Sequence, residues 1–204
     1  MVRDGAQTAE RILQVAHQLF MERGFSGVSI NDVVQQVGIT KPTLYYHYAD
    51  KEALYVAMAQ RVLTQMGAEM NAAIAAIDGS FAQVLCSVIE MIQSHNAEDT
   101  RMLRHEIRTY LAPQWQAQLA EQFYRTMMDP LVSMMAQGLA TKQIAGGTAA
   151  ELAMMFLCFI EAFSGPEGAA IQMHIDATRM THMFLYGVSY QEEQQNGSNF
   201  TRLA

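Results

Sequence analysis

The chain has 204 residues, half of them hydrophobic, and a formal net charge of −7. This length can bury a substantial core in one or two domains. No uninterrupted apolar run reaches about 18 residues, so the sequence predicts no membrane span. The polar amino terminus lacks the apolar region of an export signal, and Cys86 and Cys158 are far apart, so we expect a cytoplasmic protein without disulfides.

The negative charge is unevenly distributed. Residues 1–55 hold five Lys/Arg and six Asp/Glu, whereas the rest of the chain holds eight and fourteen. Two of the three lysines, Lys41 and Lys51, lie in the first part. Because local placement of basic side chains governs phosphate contact more than net charge does, the acidic total does not exclude a nucleic-acid partner.

The first helix is predicted from about Thr8 to Arg23, after a loose segment over residues 1–6, and it ends at Gly24. The second helix is predicted to begin at Ser29 and to stop at Gly38. Ser29 and Asp32, three residues apart, together resemble a capping box. Apolar residues at helical spacing define its inward face, namely Ile30, Val33, Val34 and Val37.

The third helix is short, with Thr40 as its N-cap and Pro42 in its first turn. Leu44 and one or two aromatic rings can face inward, which leaves hydroxyls, an imidazole and Lys41 exposed. An apolar helix followed by such a helix fits helix-turn-helix docking in a DNA major groove. Asp50 then caps a fourth helix.

The sequence GITKPTLYYHYADKEAL, residues 38–54, resembles the DNA-binding signature of the TetR family of ligand-responsive bacterial repressors. The resemblance covers about the first 55 residues. It implies an all-α protein of about nine helices, with a helix-turn-helix, homeodomain-like three-helix DNA-binding domain over residues 1–48. A helical ligand-binding and dimerisation domain is expected over 49–190, and a disordered tail over 191–204.

The resemblance also implies roles for individual residues. Positions that face base edges match Lys41, Pro42, Thr43 and Tyr45, and Asn31 matches a second-helix position that can reach a base. Positions that contact phosphates match Tyr46, His47 and Lys51. Lysine can bond guanine O6/N7, and tyrosine, histidine and lysine can donate to phosphate oxygens. The alternative is that the tyrosines only pack, and for Tyr48 we expect packing.

The remaining sequence predicts helices over about 50–77, 81–95, 98–111, 148–164 and 168–190, with a further helix from Pro113 that is kinked or split at Pro130. The helix over 148–164 is apolar nearly all the way round, which predicts cover on both sides. We therefore expect a homodimer formed through the last two helices.

Fourteen of the sixteen methionines lie beyond residue 55. Methionine adapts to varied apolar partners, which favours a small-molecule pocket between helices four and eight, although any single methionine can simply fill the core. The pocket prediction comprises Met66, Met91, Leu103, Ile107, Tyr110, Trp115, Phe123, Met127 and Phe156. Arg101, Arg104 and Arg108 share one face of helix six, and either serve a ligand, join helix six to the DNA-binding domain or form a solvated face.

We conclude that the chain is a dimeric DNA-binding transcriptional regulator, and that it is a repressor released from a double-stranded operator by a small apolar or amphipathic ligand. A DNA-binding dimer without an effector, regulated by a partner or architectural, and an activator remain alternatives. No catalytic motif, metal-ligand spacing or glycine-rich phosphate loop occurs, so we predict no enzyme activity, no metal and no cofactor.

Overall fold

The computed structural model describes residues 2–75, 79–95, 97–164 and 175–187. All regular elements in these ranges are helical, which confirms the all-α class. The helices are α1 Val2–Gly27, α2 Ile30–Val37, α3 Lys41–His47, α4 Lys51–Ala75, α5 Phe81–Ser94, α6 Ala97–Tyr110, α7 Pro113–Phe123, α8 Asp129–Ala140, α9 Ala149–Ser164 and α10 Ala177–Tyr186.

Helix α1 is longer than predicted, because it begins at Val2 rather than near Thr8. Residues 2–7 contain no proline. Each residue added to a formed helix gains one hydrogen bond without the cost of starting a new helix, so the helix extends to Val2. The predicted break at Gly24 is confirmed by its non-helical backbone, with φ 69° and ψ 170°. One further turn follows this break and ends at Gly27.

The predicted boundaries of α2 and α3 are confirmed by their caps. The Asp32 carboxylate accepts the Ser29 N–H at 2.7 Å, and the Ser29 hydroxyl accepts the Asp32 N–H at 3.3 Å. Gly38 ends α2 in the left-handed conformation, with φ 75°. The Thr40 hydroxyl accepts the Thr43 N–H at 3.4 Å and caps α3. These local hydrogen bonds set the turn that joins the two helices.

Helices α7 and α8 form one continuous helical stretch that is not split at Pro130. A π-helical turn, Tyr124–Met128, precedes the proline and carries the irregularity. Widened turns of this kind accommodate a break in the regular hydrogen-bond ladder. Gly67 of α4 lies against this turn, where an added Cβ would come within 2.6 Å of the Thr126 Cβ. The close approach of α4 therefore needs a glycine.

Of the final helix predicted over 168–190, the structure describes residues 175–187. Ile175 and Asp176 are non-helical, and the Asp176 carboxylate accepts the Arg179 N–H at 2.8 Å to start α10. An N-capping carboxylate favours a helix start, so among the described residues this helix begins at Ala177 rather than earlier. The predicted tail over 191–204 lies outside the described residues.

Two clusters of buried apolar residues organise the helices. The first joins α1 to α4 and extends to Leu111 and Leu119. The second joins α5, the π turn, α8, α9 and α10. Helix α4 contributes to both, through Leu63 to the first and Met70 to the second. The long α4 thus connects the amino-terminal head, which we define as α1 to α3, with the other helices. The predicted domain boundary at residue 48 stays a prediction.

Candidate nucleic-acid interface and internal cavity

Helix α3 has one buried anchor and a polar outer face. Leu44 is fully buried, whereas Lys41, Pro42, Tyr45 and Tyr46 are exposed. The Tyr46 ring is 84% exposed, too much for a residue that stabilises a core. A face of this composition can donate hydrogen bonds to phosphates and base edges.

The other candidate DNA contacts surround this face. Asn31 is exposed on α2, and Thr43 and His47 are half-buried on α3. The His47 ring makes an edge contact with Tyr46, with ring centroids 5.1 Å apart. Tyr48 lies inward, packed against the first core cluster, and its hydroxyl donates to the Ala9 carbonyl at 3.5 Å.

Lys51, at the start of α4, is half-buried beside the bend in α1. Its Nζ lies 4.4 Å from the centroid of the Phe25 ring, a cation–π arrangement. Burial lowers the pKa of the Lys51 ammonium, and the negative charges of Glu106 and Asp32 oppose that shift. The Lys51 side chain is therefore held in a particular place rather than moving freely in solvent.

A buried carboxylate of α6 reaches the same bend. Glu106 is 6% exposed. Its Oε1 accepts the Phe25 N–H at 2.6 Å, and its Oε2 accepts the Tyr55 hydroxyl at 2.8 Å. Burial raises the pKa of the Tyr55 phenol, and the hydrogen bond to Glu106 raises it further by a smaller amount. An added Cβ at Gly24 would lie 2.7 Å from the same Oε1, so this glycine makes room for the carboxylate.

Aromatic rings and a second carboxylate reinforce this contact. Tyr110 of α6 stacks on Phe25 with centroids 5.1 Å apart, and Tyr55 meets Phe25 edge-on at 5.2 Å. The Glu52 carboxylate of α4 accepts the Ala112 N–H at 2.5 Å, just beyond the end of α6. The carboxy-terminal half of α6 is thus fixed to both α1 and α4.

A cavity of about 760 Å³ lies beside α6. This volume lies within the range of small-molecule sites. It is lined by His17, Met21, Val62, Leu63, Met66, His95, Asp99, Thr100, Leu103, Arg104, Ile107, Arg108, Pro113, Gln116, Ala117, Leu119, Ala120, Phe123 and Glu161. Apolar side chains of α4, α6 and α7 dominate the walls.

The sequence predicts nine pocket residues, and four of them line this cavity: Met66, Leu103, Ile107 and Phe123. The other five do not. Met127 and Phe156 are buried in the second core cluster, and Met91 packs against it. Trp115 packs against the first cluster, and Tyr110 stacks on Phe25. Contact between any of the nine residues and a ligand stays a prediction.

Polar side chains interrupt the apolar cavity wall. Burial and the charge of Arg61 lower the pKa of the His17 imidazole, while Asp99 opposes that effect. Arg104 Nη1 lies 3.1 Å from both carboxylate oxygens of Glu161, which joins α6 to α9. Arg108 also lines the cavity, and Arg101 is half-buried.

Helix α9 has a buried side and an exposed apolar side. Leu152 and Phe156 are buried in the second core cluster. Met154 and Met155 are 50% and 52% exposed, and Cys158 is also exposed. Large apolar side chains that lie exposed next to one another are typical of protein contact surfaces.

The family model for bacterial regulatory proteins of the tetR family matches residues 12–58, which comprise most of α1, all of α2 and α3, and the start of α4. Residues 12–58 of this chain are therefore similar to the amino-terminal region of the tetR family. Over 63 residues it is 38% identical to a helix-turn-helix-type transcriptional regulator of Staphylococcus aureus (strain USA300). That match covers 31% of this chain and about a third (34%) of the relative's length.

Solved structures resemble this chain over most of its length. Escherichia coli NemR in its reduced form has a TM-score of 0.73 at 14% identity, covering 87% of this chain and 95% of that chain. FadR from Bacillus subtilis in complex with stearoyl-CoA has a TM-score of 0.70 at 16% identity, covering 88% and 99%. At such identities the likeness shows the fold alone, a helix-turn-helix head followed by further helices.

Sequence reasoning considered Arg101, Arg104 and Arg108 for a link between α6 and the head, and missed Glu106, whose carboxylate makes that link. Glu106 lies in a helix with many charged residues, so its burial has no local signal. The sequence predicts Gly24 only as the end of a helix, and it gives no role to Phe25. His17 and Met21 were assigned to α1, and nothing in their spacing indicates that α1 borders a cavity. Among the described residues, no helix combines the length and apolarity needed to cross a bilayer.

Proposed function

We propose that this chain is a dimeric transcriptional repressor, and that a small apolar or amphipathic molecule in the cavity releases it from its DNA operator. The observation that carries the proposal is the outer face of α3, where exposed Lys41 and Tyr46 flank a fully buried Leu44. A short helix with this division projects polar groups from a rigid support, as major-groove recognition requires.

The proposed contacts follow the exposure of the side chains. Bases are contacted by Lys41, Pro42, Thr43 and Tyr45 from α3 and by Asn31 from α2. Phosphates are contacted by Tyr46, His47 and Lys51. Phosphate contacts supply affinity for any sequence, and contacts to base edges supply preference for one.

The cavity supports regulation by a ligand because α4 and α6 both line it and both contact the head. Leu103 and Ile107 of α6 face the cavity, while Glu106 bonds to Phe25. A ligand that favours a different position of α6 would change the head's geometry. Such a ligand acts only if it binds the DNA-incompetent state more tightly.

Dimerisation through the last two helices is supported by the exposed methionines of α9. An isologous two-fold contact would cover this face in both subunits. The two copies of α3 would then enter successive major grooves about 34–36 Å apart on a near-palindromic operator.

Unbiased selection of bound DNA sequences tests the proposal, repeated with Lys41→Ala and Tyr46→Ala. We expect Lys41→Ala to relax base preference, and Tyr46→Ala to weaken binding evenly across sequences. Lys142→Gln, on an exposed turn after α8, is the matched control and should behave as the original chain. Failure to enrich any sequence would refute specific DNA recognition. Unchanged preference in Lys41→Ala would remove Lys41 from base recognition.

A further inference from the structure

Helix α6 has two functional faces. Leu103 and Ile107 line the cavity, whereas Glu106 and Tyr110 contact Phe25 at the bend in α1. Any displacement of α6 that moves the first pair must move the second pair, because a helix is rigid over one or two turns. The cavity and the bend are therefore connected by one element.

Phe25 is held from two sides by α6. Its N–H is bonded to a buried carboxylate at 2.6 Å, and its ring is stacked on Tyr110 with an interplanar angle of 20°. Gly24, directly before it, has a backbone conformation that glycine alone readily adopts. The Glu106 bond and the glycine together fix where the Phe25 ring lies.

The Phe25 ring contacts Lys51, because the Lys51 Nζ lies 4.4 Å from the centroid of the ring. A lysine side chain has several rotatable bonds, and a cation–π contact restricts the positions of its ammonium. Lys51 is the only basic residue at the start of α4, the junction between the head and the rest of the chain.

We propose that Glu106 is a positioning residue that holds Lys51, through the Phe25 ring, where it contacts a DNA phosphate. The inference rests on the proposed DNA-binding function and adds a specific route by which α6 controls phosphate affinity. A ligand that displaces α6 would loosen Phe25 and weaken the Lys51 contact, in addition to any change in the spacing between heads.

The test is a double-mutant cycle in DNA affinity, measured over a series of salt concentrations with the selected DNA. Lys51→Ala should make the slope of log affinity against log salt concentration less negative, by about 0.9 for each phosphate that the protein no longer neutralises. Phe25→Leu, which removes the ring, should weaken binding about two- to fivefold per subunit. Phe25→Tyr keeps the ring and should restore the affinity.

Non-additivity is the decisive result. If Phe25 acts through Lys51, then Phe25→Leu should have no further effect on affinity in the Lys51→Ala background. Phe25→Leu should also be additive with Lys41→Ala, which removes a base contact. Additive losses for Phe25→Leu and Lys51→Ala would overturn the inference while leaving DNA recognition intact.

Glu106 is tested in the same cycle. Glu106→Ala should weaken DNA binding by about the same factor as Phe25→Leu, whereas Glu106→Gln, which keeps a carbonyl acceptor for the Phe25 N–H, should retain the original affinity. If Glu106→Ala does not fold, the Phe25 and Lys51 cycle still decides the ring contact, and Glu106→Gln decides whether the acceptor suffices. An unchanged affinity and salt dependence in Lys51→Ala would overturn both the Lys51 contact and this inference.

Discussion

The Glu106 carboxylate accepts a hydrogen bond from the Tyr55 hydroxyl at 2.8 Å, although the two residues lie 51 positions apart, on α6 and α4. The same carboxylate also accepts the Phe25 N–H. One buried side chain thus joins three helices, and its two acceptor atoms are both occupied. Removing either donor leaves part of a buried carboxylate without a partner, which is unfavourable.

Tyr55→Phe removes one donor and little volume. We expect the free energy of unfolding to fall by about 1.5–3 kcal/mol, the usual range for a hydrogen bond to a charged group. Urea denaturation measures the difference. Tyr124→Phe, at a 51% exposed tyrosine, is the control and should change stability by less than about 0.5 kcal/mol. Equal effects of the two variants would contradict a stabilising role for the Glu106 bond.

Gly24→Ala places a methyl group where the Glu106 carboxylate lies. The backbone at φ 69° and ψ 170° costs a residue with a Cβ about 1–3 kcal/mol, and the 2.7 Å contact with Oε1 adds to that. We expect lower stability in urea and weaker DNA binding. Gly5→Ala, in the same helix with nothing within 4 Å, should keep stability or raise it by up to about 1 kcal/mol.

Stability should depend on pH through His17. Burial, more than the Arg61 charge, lowers the pKa of this imidazole from its ordinary value of 6.5. The unfolded chain therefore binds a proton more readily than the folded chain, and stability falls as pH drops through about 6.5. His17→Gln should flatten the pH dependence of urea denaturation between pH 7 and 5.

Ala120→Phe should fill part of the cavity, because Ala120 lies in its α7 wall. We expect the affinity for the fluorescent probe 1-anilinonaphthalene-8-sulfonate to fall at least about tenfold, since a phenyl ring in the cavity takes up space that the probe needs. Fluorescence titration measures the loss. Ala72→Phe adds the same ring to an exposed position on α4 and serves as control. Equal probe affinities for both variants would place probe binding elsewhere.

Met155→Glu should convert the proposed dimer into monomers. The change puts two like charges into one apolar contact across a two-fold axis, and burying them there is costly. Sedimentation equilibrium distinguishes the masses. Gln114→Glu adds the same charge to an exposed position on α7 and should remain dimeric. A dimer that withstands Met155→Glu would show that the subunits pair through another surface.

The amino-terminal head could be predicted from the sequence because its boundaries depend on neighbours in the chain. Ser29 and Asp32 bond across three residues, and Thr40 and Thr43 do the same. Gly38 ends α2 through a backbone conformation that its own lack of a Cβ permits. The outward face of α3 followed from having one aliphatic residue, Leu44, among polar and aromatic ones.

Tertiary structure alone decided how α6 is used. Glu106 and Phe25 are 81 positions apart, and neither has a local partner that signals the bond. The same holds for the cavity, where α1 supplies His17 and Met21, while Met127 and Phe156 are buried in the core instead. Sequence determines local hydrogen bonds and amphipathic faces. Packing between helices that are distant in the chain decides which of these faces meet. A carboxylate such as that of Glu106 is stable in the interior only when packing brings hydrogen-bond donors to it.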